Sequence, residues 1–358
     1  MEKLNILITG IGGGGHGEQI LKALRLSSLD LHIIGADMSE ISKGLFEVDV
    51  PYIIPAASHK NYIDVLLQIC KKHNVKVLFH GSEPELKVMS EHRKIFHENG
   101  IFLPINPQHV LDVCMDKAKT MEFLKENNFF FPETKVIKSE ADLEDVNFVP
   151  CVLKPSIGGG GSANIMLAQS IDELKMFGKY LLTIYNEFIV QQYVGTPEDE
   201  YTVGVLMSMN GQLINSIAIR RNIMSSLSNR IKVANRTGVA DYGKMLAISS
   251  GISQGFIDRF PEITTECERI ALALGCTGAV NIQLRYWKGK VYVFEINPRF
   301  SGTTSLRAMV GYNEPEVLIR KHVLNEEIEI KFNYKSGYIS RGLQEYYIDS
   351  NYTFNKIQ

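Results

Sequence analysis

Across roughly its first hundred residues the chain switches repeatedly between short apolar runs and helix-patterned segments, and this alternation constrains its architecture more than any other feature. The spacing predicts strands over 4–9 and 31–36 with a helix over 18–26 between them. Helix 62–73 leads to strand 75–79, and helix 84–96 leads to a short strand over 101–103. Strands separated by helical crossovers form a parallel sheet covered on both faces, so a Rossmann-like α/β lobe is expected.

Near Asn106-Pro107 the pattern changes. Asp116-Lys117 opens a helix that ends at Asn127-Asn128, followed by strands over 134–137 and 151–155, a glycine run and a helix over 171–182. A small α+β lobe is implied. Strands over 188–194, 201–209 and 212–219 read as an antiparallel meander with Asn210-Gly211 as hairpin turn. A helix over 256–274 precedes a last hairpin with arms over 279–286 and 291–297. The expected division is an N-terminal Rossmann-like domain over 1–113, a small lobe over 114–187, a C-terminal lobe over 188–330 and an extension over 331–358.

Composition narrows the function classes. The chain is 45% apolar and 22% charged, which is ordinary globular usage. A net charge of -2 with dispersed Lys and Arg offers no basic field for a polyanion, so nucleic acid is not an expected partner. The N-terminal apolar run breaks into glycines too early for a signal-peptide core, and no run approaches membrane-spanning length. Five scattered cysteines without a C-x-x-C pair suggest reduced thiols in a cytoplasm.

Two constellations carry chemistry. Lys154-Pro155-Ser156-Ile157 ends an apolar strand and runs into Gly158, Gly159, Gly160, Gly161 and Ser162. Four consecutive glycines cost backbone entropy, and they suit a loop whose amides must approach a phosphate or whose chain must move. A flexible surface turn would look the same. No Gly-Lys pair is followed by Ser or Thr, so this is not a Walker A loop.

The second is Asn281-Ile282-Gln283-Leu284-Arg285 facing Val291 to Arg299. Alternation puts Glu295 and Asn297 on one face of their strand, and Asn281, Gln283 and Arg285 on one face of theirs. A three-residue loop Trp287-Lys288-Gly289 would set Gln283 opposite Val293 and make Gln283, Glu295 and Asn297 neighbours; a two-residue loop would send them to opposite faces. Such an oxygen cluster with one formal charge suits magnesium, which takes remaining ligands from phosphates and water. A polar face turned to solvent is the competing reading.

Together these residues resemble the ATP-grasp superfamily, in particular the synthetase halves of carbamoyl-phosphate synthase large chains and related carboxylate-amine ligases, over about residues 4–310. The resemblance implies a Rossmann-like lobe followed by a two-lobe ATP-grasp domain. It implies a ligase that uses ATP and magnesium, with manganese as an alternative, to turn a small carboxylate into an acyl phosphate for an amine or other nucleophile. Lys117 and Lys154 would contact phosphates and Gly159 to Ser162 would close over them. Gln191, Gln192, Tyr193 and Val194 would read adenine through backbone groups, and Glu200 the ribose. Gln283, Glu295 and Asn297 would hold metal, and Arg299 would meet the transferring phosphate. In the N-terminal lobe, Gly10 to Gly17 and Ser82 to Leu86 match the substrate side.

Gly14, Glu85, Arg220 and Arg307 are substrate candidates, each with a bland alternative: helix-start preference for Glu85, solvated surface for the arginines. Carbamoyl-phosphate synthases carry two synthetase halves, and their first half has a histidine where this chain reads Asn235-Arg236-Thr237-Gly238. A carboxylate other than bicarbonate is therefore expected. A homo-oligomer stays open.

Three rivals remain. Gly10-x-Gly12-x-x-Gly15 and Gly12-x-Gly14-x-x-Gly17, with Asp37 beyond, match a dinucleotide fingerprint and raise an NAD(P)-dependent oxidoreductase. Gly251-x-Ser253-x-Gly255 matches a hydrolase elbow, for which only His322 lies downstream. A nucleotide-binding regulatory protein without turnover is the third.

Overall fold

The computed structural model describes residues 3–13, 15–158, 164–342 and 355–356. Its first lobe contains β1 (Leu4–Thr9), α1 (His16–Arg25), β2 (Leu31–Asp37), β3 (Val50–Ile53), α2 (Tyr62–Lys72), β4 (Val77–Phe79), α3 (Glu83–Glu91) and α4 (Arg93–Glu98). β1 pairs in parallel with β2 on one side and β4 on the other, as the alternation demands. Strand parity divides its side chains: Ile6 and Ile8 pack with Ile20 and Leu24 of α1, and Leu7 with Leu66 and Ile69 of α2. The strand expected over 101–103 reduces to one bridge between Val77 and Phe102.

α5 (Gln108–Cys114) leads into the small lobe: α6 (Lys117–Glu126), β5 (Thr134–Ile137), α7 (Glu140–Glu144), β6 (Cys151–Pro155), β7 (Met166–Ala168), α8 (Ile171–Leu182) and β8 (Phe188–Gln192). The sheet order is β5-β8-β6-β7, antiparallel throughout. Ser170 caps α8 by accepting the Glu173 N–H, and Leu174 and Leu181 bury against the sheet. Residues 188–192, expected to open the meander, pair here instead, because their apolar side chains fill the space between β5 and β6.

The large lobe holds β9 (Glu200–Met207), β10 (Leu213–Arg221), β11 (Asn229–Ala234), β12 (Met245–Ser249), β13 (Gly255–Asp258), α9 (Pro261–Leu274), β14 (Ala279–Trp287), β15 (Lys290–Asn297), α10 (Thr304–Met309), α11 (Glu314–His322) and β16 (Gly337–Ile339). Its main sheet runs β15-β14-β9-β10-β13-β16, and β11 with β12 forms a separate hairpin. The helix expected from 256 starts at Pro261, because Gly255–Asp258 is taken up as a strand beside β10. Pro261 suits a first helical turn and Gly275, at φ 69°, closes the helix.

α9 buries Ile263, Cys267 and Ile270 against Val203, Val205, Ile282 and Leu284 on one face of the large sheet. Parity therefore sends Glu200, Thr202, Asn281, Gln283 and Arg285 to the other face. The first and large lobes share a core in which Ile20 and Leu24 meet Ile217, Ile219, Leu306 and Val310. β17 (Asn355–Lys356) adds to the first sheet beside β3.

Candidate active site

β14 and β15 turn through Lys288-Gly289 at φ 48° and 76°, with Trp287 paired to Lys290. The expected three-residue loop is thus replaced by a two-residue turn of the kind that follows strand twist. Alone, that turn would separate Gln283 from Glu295. A bulge restores them: Leu284 opposes Val293, Gln283 opposes Glu295, and Phe294 is left unpaired. Asn281 then opposes Asn297. Gln283 Nε2 donates to Glu295 Oε2 at 2.9 Å.

Lys154, at the end of β6, reaches across to this hairpin. Its Nζ donates to Gln191 Oε1 at 2.9 Å and to the Phe294 carbonyl at 3.2 Å, and lies 5.6 Å from the centre of the Phe294 ring. Only 6% of the residue is exposed. Burial pushes its pKa down to about 8, against the attraction of Glu295. Lys117 follows Asp116, which caps α6 by accepting the Ala118 N–H and binds Ser156 Oγ at 2.9 Å. That joint places Lys117 Nζ 3.4 Å from the Gly158 carbonyl. Gly159, Gly160, Gly161 and Ser162 lie outside the described residues, as does Gly14.

Arg299 closes the site toward the first lobe. Its Nη2 donates to Asn297 Oδ1 at 2.9 Å and pairs with Glu83 Oε1 at 2.6 Å. Arg299 holds the Glu83 carboxyl below its usual range. Nearby, His16 and His80 join through Nε2 and Nδ1 at 3.2 Å; burial, then Arg299, pushes His80 down to about 3. Lys154 thus feels the charges of Lys117 and Glu295, and Glu83 those of Arg299 and Lys117, so two lysines, an arginine and the amide-carboxylate-amide trio are neighbours drawn from three lobes.

Two domain profiles match this arrangement. Residues 6–104 match the PylC-like N-terminal domain, and residues 114–303, over half the chain, match the ATP-grasp domain. The chain belongs to the ATP-grasp family. It is similar to the carbamoyl phosphate synthase large chain of Helicobacter pylori (strain J99), 25% identical over an alignment of 338 positions that covers 90% of this chain and 28% of that one. For the same protein of Methanocorpusculum labreanum the identity is 23%, over 94% of this chain and 33% of that one. The ATP-grasp chain thus spans about a third or less of these curated relatives.

Among solved structures, N5-carboxyaminoimidazole synthetase from Staphylococcus aureus complexed with ADP aligns with a TM-score of 0.66 at 14% identity, covering 93% of this chain and 81% of that one. L-amino acid ligase from Bacillus licheniformis aligns at 0.62 and 18%, covering 90% and 74%. At such identities the likeness is one of fold.

Other ATP-grasp site candidates take different places. Glu200 is buried between two guanidiniums, with Arg221 Nη1 at 3.0 Å from Oε1 and Arg285 Nη2 at 3.3 Å from Oε2. A ribose contact by Glu200 has to be made alongside them. Along residues 191–194, Gln191 is spent on Lys154 and Thr134, Gln192 N–H donates to Glu133 O, Tyr193 N–H donates to Pro150 O, and Val194 O accepts from Arg285.

Three substrate candidates point elsewhere. Glu85 is turned inward, accepting from Tyr62 Oη and Gly81 N, because the Gly10 loop leaves room for its carboxyl. Arg307 is fully buried against Glu314 at 3.1 Å and donates to Asn281 Oδ1 at 2.6 Å, so it braces the hairpin from the same face of the sheet, its charge taken up by Glu314. Arg220 is exposed on the α9 side, opposite Tyr201. Its neighbour Arg221 is the one on the site face, where Nη1 also lies 3.3 Å from Gln283 Oε1. Counting parity from Glu200 would have separated the two. The His16 and His80 pair carries no spacing signal, since 64 residues divide its members.

Two rivals lose their geometry. The Asp37 carboxylate accepts the Gly12 and Ser39 N–H groups, so it closes the glycine loop rather than facing a ribose. Ser253 is buried ahead of a strand, not on a strand-to-helix elbow.

Proposed function

We propose that the chain is a ligase that phosphorylates a small carboxylate with ATP and passes the acyl group to an amine, releasing ADP and phosphate. The observation that carries this is the Lys154 ammonium seated on the same hairpin that aligns Gln283, Glu295 and Asn297. Joining two anions is slow mainly for electrostatic reasons, and cations held in a dry cleft answer it.

Lys154, Lys117 and Arg299 neutralise phosphate charge. The hinge residues 191–194 supply adenine contacts. Gln283, Glu295 and Asn297 would hold magnesium through one carboxylate and two amide oxygens, with Arg221 and Arg299, which donate to those amide oxygens, turning to the phosphates that fill the remaining positions. When bound, that ion shields the phosphates and orients them for in-line transfer. Among the described residues no helix is long and apolar enough to cross a membrane. All five cysteines are free and buried, which favours a reducing compartment such as the cytoplasm.

ADP release from ATP and magnesium, screened over pairs of carboxylates and amines, tests the reading. Release that needs both partners and disappears in Lys154→Ala and Glu295→Ala is expected; full activity in either folded variant refutes the site.

A further inference from the structure

Two glutamates flank Pro84 at the start of α3, and the helical period sets them about 200° apart around the axis. Glu85 turns into the first lobe, where it accepts from Tyr62 Oη and Gly81 N. Glu83 faces the large lobe. Phe79, the last residue of β4, packs edge-on against the buried Phe300 with ring centres 5.6 Å apart. That contact brings Arg299 to the first turn of α3, where its Nη2 meets Glu83 Oε1 at 2.6 Å. The Glu83 side chain is 34% exposed, so its carboxylate is not sealed between the lobes.

A carboxylate in this position works against a phosphate site. Besides Arg299, Glu83 feels the charge of Lys117, which the ligase reading gives to phosphate. A negative charge among those cations repels a triphosphate. A partly exposed ion pair contributes only about 0–1 kcal/mol, so holding two lobes together is a weak reason for one here. Nη2 of Arg299 touches both Glu83 and Asn297. Once Arg299 turns to the phosphates, the Glu83 carboxylate is left to another cation.

We infer that Glu83 seats the ammonium group of the amine that attacks the acyl phosphate, and that Arg299 covers this seat until phosphate draws the guanidinium away. Charge is then balanced at each stage: guanidinium on carboxylate first, and afterwards guanidinium on phosphate with ammonium on carboxylate. Because one guanidinium reaches both positions, the amine is held beside the group that transfers. This rests on the ligase reading for the acyl phosphate, and adds to it that the nucleophile binds as a cation.

Hydroxylamine tests the inference, because its nitrogen is largely uncharged at neutral pH whereas an amine arrives as an ammonium. Hydroxamate formation from ATP, magnesium and a panel of carboxylates finds the acid that is activated; no hydroxamate with any of them is the separate failure of the ligase reading. With that acid, hydroxylamine is then replaced by ammonium chloride or by each standard amino acid. Glu83→Gln is expected to raise the KM for the ammonium-bearing nucleophile about tenfold or more beyond any rise for hydroxylamine, and to bind the magnesium complex of ATP at least as tightly as wild type. Glu83→Asp keeps the charge and should fall between. Equal rises for both nucleophiles, weaker ATP binding in Glu83→Gln, or a wild type that uses hydroxylamine but no ammonium-bearing nucleophile overturns the inference. Melting temperature checks folding, and Glu83→Asp decides if Glu83→Gln does not fold.

Discussion

The Lys154 ammonium lies 3.2 Å from the carbonyl of Phe294, the one residue that the bulge leaves unpaired, between Val293 opposite Leu284 and Glu295 opposite Gln283. A strand of the small sheet thereby touches the hairpin of the large one through a buried charge. Burial brings the lysine pKa from 10.5 to about 8. Because the folded value lies below the unfolded one, the charged form costs stability below about pH 8, on the order of 3 kcal/mol, and the cost fades as pH rises toward 10.5. Lys154→Met is therefore expected to be more stable than wild type at pH 7, with the gap closing by pH 10.5. Denaturant midpoints of both proteins across pH check this; parallel curves refute it.

Nucleotide reverses the sign for wild type. A triphosphate beside Lys154 favours the ammonium, so binding above about pH 8 must first recover a proton. Affinity for the magnesium complex of ATP should fall as pH climbs past that point, while Lys154→Met binds weakly with no matching slope. Titration calorimetry reads both, and a flat wild-type profile removes Lys154 from the phosphates.

Adjacent arginines give a sharper contrast. Arg221 touches Glu200, Gln283, Ser249 and the Ser250 carbonyl on the site face, whereas Arg220 is exposed on the other. Arg220→Ala should change stability by no more than about 0.5 kcal/mol and leave ADP release intact. Arg221→Lys keeps charge but loses the fork, and should cut kcat/KM about tenfold or more. Equal effects at the two positions would show that parity does not define the site.

Much of this was legible because strand and helix periods are strong signals: the crossovers of the first lobe, β6 with Lys154, α6 with its Asp116 cap and α8 all follow from local pattern. What failed depends on relations between elements. β8 joined the small sheet because its apolar side chains find their partners on β5 and β6, a relation that its own residues do not announce. Glu85 turned inward because Gly10 leaves space. Loop length at Lys288-Gly289 and the bulge at Phe294 are two facts of opposite effect, and neither has a local signature strong enough to reveal the other.

Arg307 and Glu314 are both fully buried, so removing one charge strands the other. Arg307→Met should lower stability by about 3–5 kcal/mol, and Arg307→Met with Glu314→Gln should recover much of it. Urea unfolding of the four proteins in the cycle measures the coupling. Additive losses would mean that the ion pair is not the origin of the cost.

The bulge separates two roles of one hairpin. Deleting Phe294 makes the ladder regular with Val293 still opposite Leu284 and Glu295 still opposite Gln283, so the trio keeps its face. What disappears is the carbonyl, and the ring, that hold Lys154. A hydrogen bond to a charged group contributes about 1.5–3 kcal/mol, so the deletion should raise KM for ATP roughly ten- to a hundredfold. Phe294→Ala keeps the carbonyl and should raise it much less. Magnesium dependence, titrated at saturating ATP, should be the same in both variants as in wild type. If the deletion instead abolishes the magnesium response while Phe294→Ala preserves it, the bulge itself sets the parity of Glu295 and Asn297, and the lysine contact is its by-product.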